Sequence, residues 1–426
     1  MMDASTSISM IDFKCITESF VLYTHVSDDP IVTLARQTAS LLAAENPTEA
    51  RQVYYKYAAM LVAEAEAHGL SGNLFWQHLC RLFLTDVNPF SLACERRTVE
   101  PRQTMCALAM QDVRTLVDLG RFDTGIFGRL AGRGENLTDY VPNKPAANPY
   151  MTAIAAIDNA EALYNALKTY YEAYGCGAVA ESGMLRFTDG ALCGVADADP
   201  AQLGDIVGYA EQKRLLTENT EAFLRGQAAN NVLLIGARGT GKSTCVKALA
   251  NAYFEQGLRL VELPKNRMHE LPDVLSALSG RGKSFILYID DLSFDESESE
   301  YKHLKSILEG GVVRRPANVL FYATSNRRHI VQEKWSDKNS GYEDETLHAT
   351  DTRNEKLSLS DRFGLTITFP KPSPQLYFEI VSALAAKENL DVPEDILREK
   401  AMAWEMSQKG LSGRTARQFL NSIQKM

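Results

Sequence analysis

Along the first 140 residues, apolar positions recur every three or four places and rarely alternate. That is the spacing of helices that each turn one face to a core. Val32 to Ala44, Glu49 to His68 and Asn73 to Leu84 carry it most clearly, and turn residues at 86–89 and Pro101 punctuate the stretch. Three prolines within residues 141–149 mark a boundary. The periodicity then predicts one helix from Met151 to Tyr174, with Ile154, Ile157, Ala160, Leu163, Leu167 and Tyr170 along a face. Residues 183–195 alternate about Asp189-Gly190, the signature of a hairpin, expected to pack on the following domain.

From about residue 200 short apolar runs alternate with helical patterns. Val232–Ile235, Arg259–Leu263, Phe285–Ile289, Val319–Ala323 and Leu365–Phe369 read as strands. Such alternation predicts a parallel five-stranded sheet with helices on both faces. Beyond Pro372 the pattern is helical again, opened by Ser373 as an N-cap before Pro374. The expected organisation is therefore α/β with a mainly α-helical N-terminal domain: residues 1–145 helical, 146–200 a helix-and-hairpin connector, 201–372 the α/β core and 373–426 a helical lid.

Composition narrows this picture. Hydrophobic residues make up 45% of the 426, enough for substantial cores. The formal charge of −9 argues against a protein whose whole surface wraps nucleic acid, though it leaves room for a local basic face. Seven scattered cysteines form no zinc-spaced set and predict buried free thiols in a reducing compartment. No apolar run reaches the ~18 residues of a membrane helix, and no secretory pattern opens the chain, so a cytoplasmic protein without a membrane partner is expected.

The candidate chemistry lies in the α/β half. Gly236-Ala237-Arg238-Gly239-Thr240-Gly241-Lys242-Ser243 fits GxxxxGK[ST] between a predicted strand and a predicted helix. Its glycines admit backbone conformations closed to other residues, so amides converge on phosphate oxygens at a helix N-terminus. Lys242 supplies charge to the outer phosphates, the Ser243 hydroxyl is a Mg²⁺ ligand, and Thr244 follows on the same helix. The strand Phe285–Ile289 ends in Asp290 and Asp291, at the sheet edge where ligands bind. Asp290 is expected to serve Mg²⁺ and Asp291 to orient water. The strand at 319–323 ends in Thr324-Ser325-Asn326, where the asparagine can hold water or the γ-phosphate.

Together these residues resemble the AAA+ superfamily of P-loop NTPases, over residues from about 200 to 426. Gly236–Ser243 looks like its Walker A motif, Phe285–Asp291 its Walker B and Thr324–Asn326 its sensor 1. The resemblance implies that Arg362, in Ser358-Leu-Ser-Asp-Arg-Phe-Gly, is an arginine finger acting on a neighbour's nucleotide, hence a homo-oligomer. It implies that Arg417, or alternatively Arg414, is sensor 2, and that Ile206-Val207-Gly208-Tyr209 lines an adenine pocket. The combination of GARGTGKS, IDDLSF, LEGG, YATSNRRH, KLSLSDRFGL and SGRTARQF is similar to a bacterial AAA+ family described mainly as a domain of unknown function.

Asp291 stands where most AAA+ members have Glu, one methylene longer, which puts the hydrolysis rate in question. The implied function is an Mg²⁺-dependent ATPase that remodels a protein partner. The alternatives are a DNA-associated ATPase of loader or initiator type and a slowly hydrolysing, nucleotide-gated scaffold. The polar insert at 332–356 reads as a solvated loop, the acidic stretch at 295–300 as a helix cap or a pore-facing segment, and the basic run at 326–329 as a contact to a neighbouring subunit, ahead of phosphate or nucleic acid.

Overall fold

The computed structural model describes residues 9–97, 100–130, 137–144, 149–292, 304, 307–308, 315–326, 362–390, 392–407 and 410–423. The chain forms two compact units, Met1–Glu181 and Ser182–Met426.

The first unit is helical. Helices Pro30–Ala43, Pro47–His68 and Leu74–Thr85 match the three expected stretches to within two residues at every end. Each opens on a side-chain cap, from Asp29, Asn46 and Asn73, which satisfies amides that the first turn leaves unpaired. Phe13, Phe75, Phe122 and Phe127 cluster in its interior. Buried Asp112 accepts backbone N–H bonds from Val21, Leu22 and Tyr23 at 2.7–3.2 Å, closing a loop that has no regular partner. The single helix expected over 151–174 is two, Pro149–Ala155 and Ala160–Tyr174. Asn159 separates them: its side chain accepts from the amides of Glu161 and Ala162, which starts a new helix instead of continuing the old one.

The 146–200 segment is not a unit of its own. Helix Ala160–Tyr174 buries Leu163, Leu167 and Tyr171 within the first unit, whereas the hairpin belongs to the sheet of the second. Its strands are β1 (Met184–Thr188) and β2 (Ala191–Gly194). Asp189 and Gly190 both take positive φ, 52° and 81°, as a two-residue turn matching strand twist requires.

The expected strands follow as β3 (Val232–Gly236), β4 (Leu258–Glu262), β5 (Ser284–Ile289), β6 (Val319–Ser325) and β7 (Leu365–Phe369). Among the described residues the sheet has seven strands, not five, in the order β2-β1-β4-β5-β6-β3-β7. Every neighbouring pair is parallel except β1 with β2. The two extra strands come from the hairpin, where β1 pairs in parallel with β4.

This unit includes helices α1 (Ala210–Leu224), α2 (Lys242–Ala252), α3 (Leu271–Leu278), α4 (Pro374–Lys387), α5 (Glu394–Ser407) and α6 (Gly413–Ile423). Val232, Leu234, Ile286, Tyr288, Leu320 and Tyr322 pack with Val246 and Leu249 of α2 in one core. Tyr377, Ile380, Leu397, Ala416 and Phe419 make a separate lid core from α4, α5 and α6. Among the described residues no helix is long and apolar enough to cross a membrane. Cys80, Cys94, Cys176 and Cys245 are buried free thiols as expected, but Cys15 and Cys193 are exposed.

Candidate functional site

β3 lies between β6 and β7, both later in the chain, so connections part to either side of the loop that follows it. A parallel sheet opens its ligand crevice at such a point, beyond the strand C-termini. The loop from Gly236 to Gly241 turns there into α2, with Gly241 as N-cap at φ 89°. Gly236 shows why a glycine stands in this loop. Its φ is 153°, and an added Cβ would meet the Phe369 carbonyl oxygen at 2.2 Å. Thr240 is buried and donates to the Ala237 carbonyl at 2.9 Å, which tightens the loop from within.

Lys242 is only 5% exposed. Its Nζ donates to the carbonyls of Gly236 and Ala237, both at 2.8 Å, and to Asn326 Oδ1 at 3.1 Å. Burial pushes the pKa of this ammonium down, with Arg238 adding to the effect, while Asp290 and Asp291 oppose it.

The two carboxylates have different surroundings. Asp290 Oδ1 accepts from Thr324 Oγ1 at 2.5 Å, Tyr288 OH at 2.7 Å, Ser243 Oγ at 2.9 Å and the Asp291 amide at 3.1 Å. Partial desolvation pushes the Asp290 pKa up, but the bonds from Thr324, Tyr288 and Ser243 outweigh it and hold the carboxyl below its ordinary range. Crowding on Oδ1 fixes the carboxylate's orientation. The Ser243 bond joins the end of β5 to the first turn of α2.

Asp291 takes a left-handed backbone at φ 50°. Its amide donates to Thr324 Oγ1 at 3.0 Å as well as to Asp290, and the Leu292 amide donates to the Thr324 carbonyl at 2.6 Å. These bonds hold a conformation that a non-glycine residue adopts only when its surroundings determine it. The turn aims the Asp291 side chain at β6, where Asn326 Nδ2 donates to its Oδ1 at 2.6 Å. Across the cleft, Arg238 lies 3.5 Å from Asp291 Oδ2.

A cleft of about 990 Å³ gathers these residues and extends beyond them. That is near the upper end of the roughly 300–1,000 Å³ of small-molecule sites. Arg238, Gly239, Thr240, Gly241, Lys242, Ser243 and Thr244 line it, as do Asp290, Asp291 and Asn326. Its wall also includes Ile206 and Val207, and Ile380 and Leu384 of α4. Gly208 turns this wall at φ 74°, and an added Cβ there would stand 2.5 Å from Leu376 of the lid. Gly236 and Ala237 shape the cleft through their carbonyls on Lys242.

Both Arg414 and Arg417 line the cleft from α6, with Gln418 and Asn421 on the same face. They sit at different places. A Cβ at Gly239 would be 3.2 Å from Arg414 Cβ, whereas Arg417 acts electrostatically on Asp205 beside the Ile206–Val207 wall. Arg362 is exposed just before β7 and does not line this chain's cleft. The segments at 295–300, 327–329 and 332–356 lie outside the described residues.

Three contributors to the site were given no role by the sequence pattern, two of them within motifs quoted above. Tyr288 faces the core, yet its hydroxyl reaches Asp290. Lys387 donates to Asp205 at 2.6 Å, which joins the lid to the wall and holds the Asp205 carboxyl below its ordinary range. The Gly413 amide, at the N-terminus of α6, donates to the Gly239 carbonyl at 2.8 Å.

These features fit a nucleoside triphosphate and Mg²⁺. Gly239 and Gly241, at φ 76° and 89°, leave space that a Cβ would fill against Ser412 and Ile206 respectively. A buried ammonium and two helix N-termini face the loop. A hydroxyl bonded to a carboxylate offers the hard oxygen ligands that Mg²⁺ takes.

Parts of the chain resemble known proteins. The large subunit of replication factor C from Methanococcus vannielii is 30% identical over 142 residues, 31% of this chain and 29% of that protein. The corresponding subunit from Methanococcus maripaludis strain C7 is 29% identical over 97 residues, 22% of this chain and 20% of its own. The chain thus spans less than a third of the length of these curated relatives. Among solved structures, the Holliday junction branch migration motor RuvB of Thermotoga maritima covers 52% of this chain and 72% of its own, at TM-score 0.33 and 14% identity. PCH-2 of C. elegans covers 51% and 63%, at TM-score 0.35 and 18% identity. Those superpositions are too loose to add to the motif set and strand order described above. Residues 181–425 match the family described as "Protein of unknown function (DUF815)", and the chain belongs to that family, with a P-loop AAA+ module as its C-terminal unit.

Proposed function

We propose that the chain is an Mg²⁺-dependent ATPase that works as a homo-oligomer and couples hydrolysis to remodelling of a protein partner. One observation carries the enzymatic part. The Ser243 hydroxyl and the Asp290 carboxylate, from two separate motifs, meet at 2.9 Å beside buried Lys242. In this reading the amides of 236–243 wrap the phosphates at the positive end of α2, and Lys242 exchanges its carbonyl partners for phosphate oxygens. Ser243 and Asp290 would hold Mg²⁺, which would neutralise charge on the phosphate oxygens when bound. Asp291 orients the attacking water and Asn326 keeps Asp291 aimed. The water oxygen bonds to the γ-phosphorus as the bridging bond breaks. ADP keeps the bridging oxygen with its electron pair, and the water's proton passes toward Asp291. Val207 and Gly208 form an adenine wall with Ile380 and Leu384. Arg414 and Arg417 read the nucleotide from the lid, and Arg362 acts on the neighbouring copy.

Phosphate release with and without Mg²⁺ tests the reading. Lys242→Ala is expected to lose ATP binding, while Asp291→Asn keeps binding and loses turnover by about 10²-fold or more. A Lys242→Ala protein that binds and hydrolyses like the parent would falsify the assignment. For action in trans, Arg362→Ala and Lys242→Ala proteins are each expected to be inactive alone and to regain part of the activity when mixed. Absence of complementation in a demonstrated oligomer removes the trans role. Affinity capture with the Asp291→Asn protein is the route to the partner, and a cytoplasmic site is part of the same proposal.

A second reading, a DNA-associated ATPase, is favoured by the likeness to replication factor C large subunits and by the basic residues between Arg398 and Lys425. It requires ATPase stimulation by DNA at low salt that disappears as salt rises. A third, a nucleotide-gated scaffold, rests on the short Asp291 side chain and is excluded by repeated turnover.

A further inference from the structure

Arg238 is the P-loop residue that the roles above leave without a task. It occupies a variable position of the motif, two residues after Gly236, and its side chain does not turn to solvent alone. Nη2 lies 3.5 Å from Asp291 Oδ2, across the cleft that both residues line. The other oxygen of the same carboxylate accepts from Asn326, and Asn326 accepts from Lys242. One chain of contacts therefore runs from Lys242 through Asn326 and Asp291 to Arg238. Each cationic end of it belongs to the loop that wraps phosphate.

Three properties make the Arg238 contact a switchable one. First, it is weak: the two side chains are 71% and 52% exposed, and pairs that open to water contribute little to stability. The fold does not depend on it. Second, the Asp291 backbone is fixed by its two amide bonds, so only its side chain can answer a change at Arg238. Third, a guanidinium forms stronger, two-point hydrogen bonds to a phosphate dianion than a long single contact to a carboxylate. Arg238 is rooted in the phosphate loop itself and lines the same cleft as Lys242 and Ser243.

We propose that Arg238 is a positioning residue that restrains Asp291 and is drawn off it by the terminal phosphate of a triphosphate, so that one side chain in cis both reads the third phosphate and frees the water-orienting carboxylate. The proposal rests on the ATPase reading. It adds to Lys242 a second cationic contact in cis for the terminal phosphate.

The test is a double-mutant cycle on nucleotide affinity, measured with ATP and ADP in the presence of Mg²⁺ on the full chain. Arg238→Gln is expected to weaken ATP by about tenfold, one charge-assisted bond discounted for exposure, and to leave ADP within about twofold. Arg238→Lys, which keeps the charge without the fork, is expected to recover only part of the loss. Asp291→Asn removes the competitor for Arg238. It is expected to tighten ATP by about fivefold in the parent and by less than about twofold in the Arg238→Gln background. Independent effects of the two substitutions, or equal weakening of ATP and ADP by Arg238→Gln, overturn the inference alone. A parent that binds neither nucleotide overturns the ATPase reading and this inference with it.

Discussion

Replacing Thr324 by valine removes one hydroxyl from the centre of the site and keeps the side-chain volume. Thr324 is 2% exposed in β6. Its Oγ1 donates to Asp290 Oδ1 at 2.5 Å and accepts the Asp291 amide at 3.0 Å. The first bond is to an ionised group, worth roughly 1.5–3 kcal/mol, and solvent on the outer side of Asp290 places it at the low end. The second is partly replaced, because the same amide also donates to Asp290, and its loss adds about 0.5 kcal/mol. Thr324→Val is therefore expected to cost about 2 kcal/mol at pH 7.

The pH dependence follows from the lowered Asp290 pKa. A carboxyl depressed in the folded state stabilises it fully above the unfolded value of about 3.9, and the contribution fades as pH falls through the lower folded value. The gap between parent and Thr324→Val should thus be constant from about pH 8 to pH 5 and shrink below about pH 4. Urea unfolding of both proteins across that range, followed through the circular dichroism of the sheet-containing unit, measures it. A gap under about 0.5 kcal/mol at pH 7, or one that widens in acid, refutes the assignment of Thr324 as the main support of the Asp290 charge.

Two further outcomes test other parts of the site. Gly236→Ala places a methyl within 2.2 Å of the Phe369 carbonyl and at a φ that alanine avoids. It is expected to destabilise the α/β unit by about 3 kcal/mol or more, read as a fall in Tm of several degrees. Arg414→Ala should weaken ATP binding more than Arg417→Ala, because Arg414 starts from the phosphate loop and Arg417 from the Asp205 end. Equal losses in a nucleotide titration count against that division.

The sequence by itself determined what is contiguous. The eight residues from Gly236 to Ser243 carry their conformational demands in their own glycines, and the apolar runs at β3 to β7 announce buried parallel strands. Asp290, Asp291 and Asn326 were legible because each ends such a run, at the edge where parallel sheets open. The Asp189-Gly190 turn was legible for the same local reason, but not the hairpin's pairing into the sheet. Whether β1 pairs with β4 depends on what lies over seventy residues later, and it makes the sheet seven strands wide.

Only the tertiary structure decided how the site is supported. Thr324 meets Asp290 from 34 positions away, Lys387 reaches Asp205 across 182, and the Gly413 amide closes on the Gly239 carbonyl. No periodicity records such contacts, because they depend on which strand ends become neighbours and on how the lid core seats α6. The break at Asn159 has the opposite cause. There a single capping side chain outweighed a helical pattern spread over twenty-four residues, because two amide bonds at one point are stronger than a propensity summed along a face.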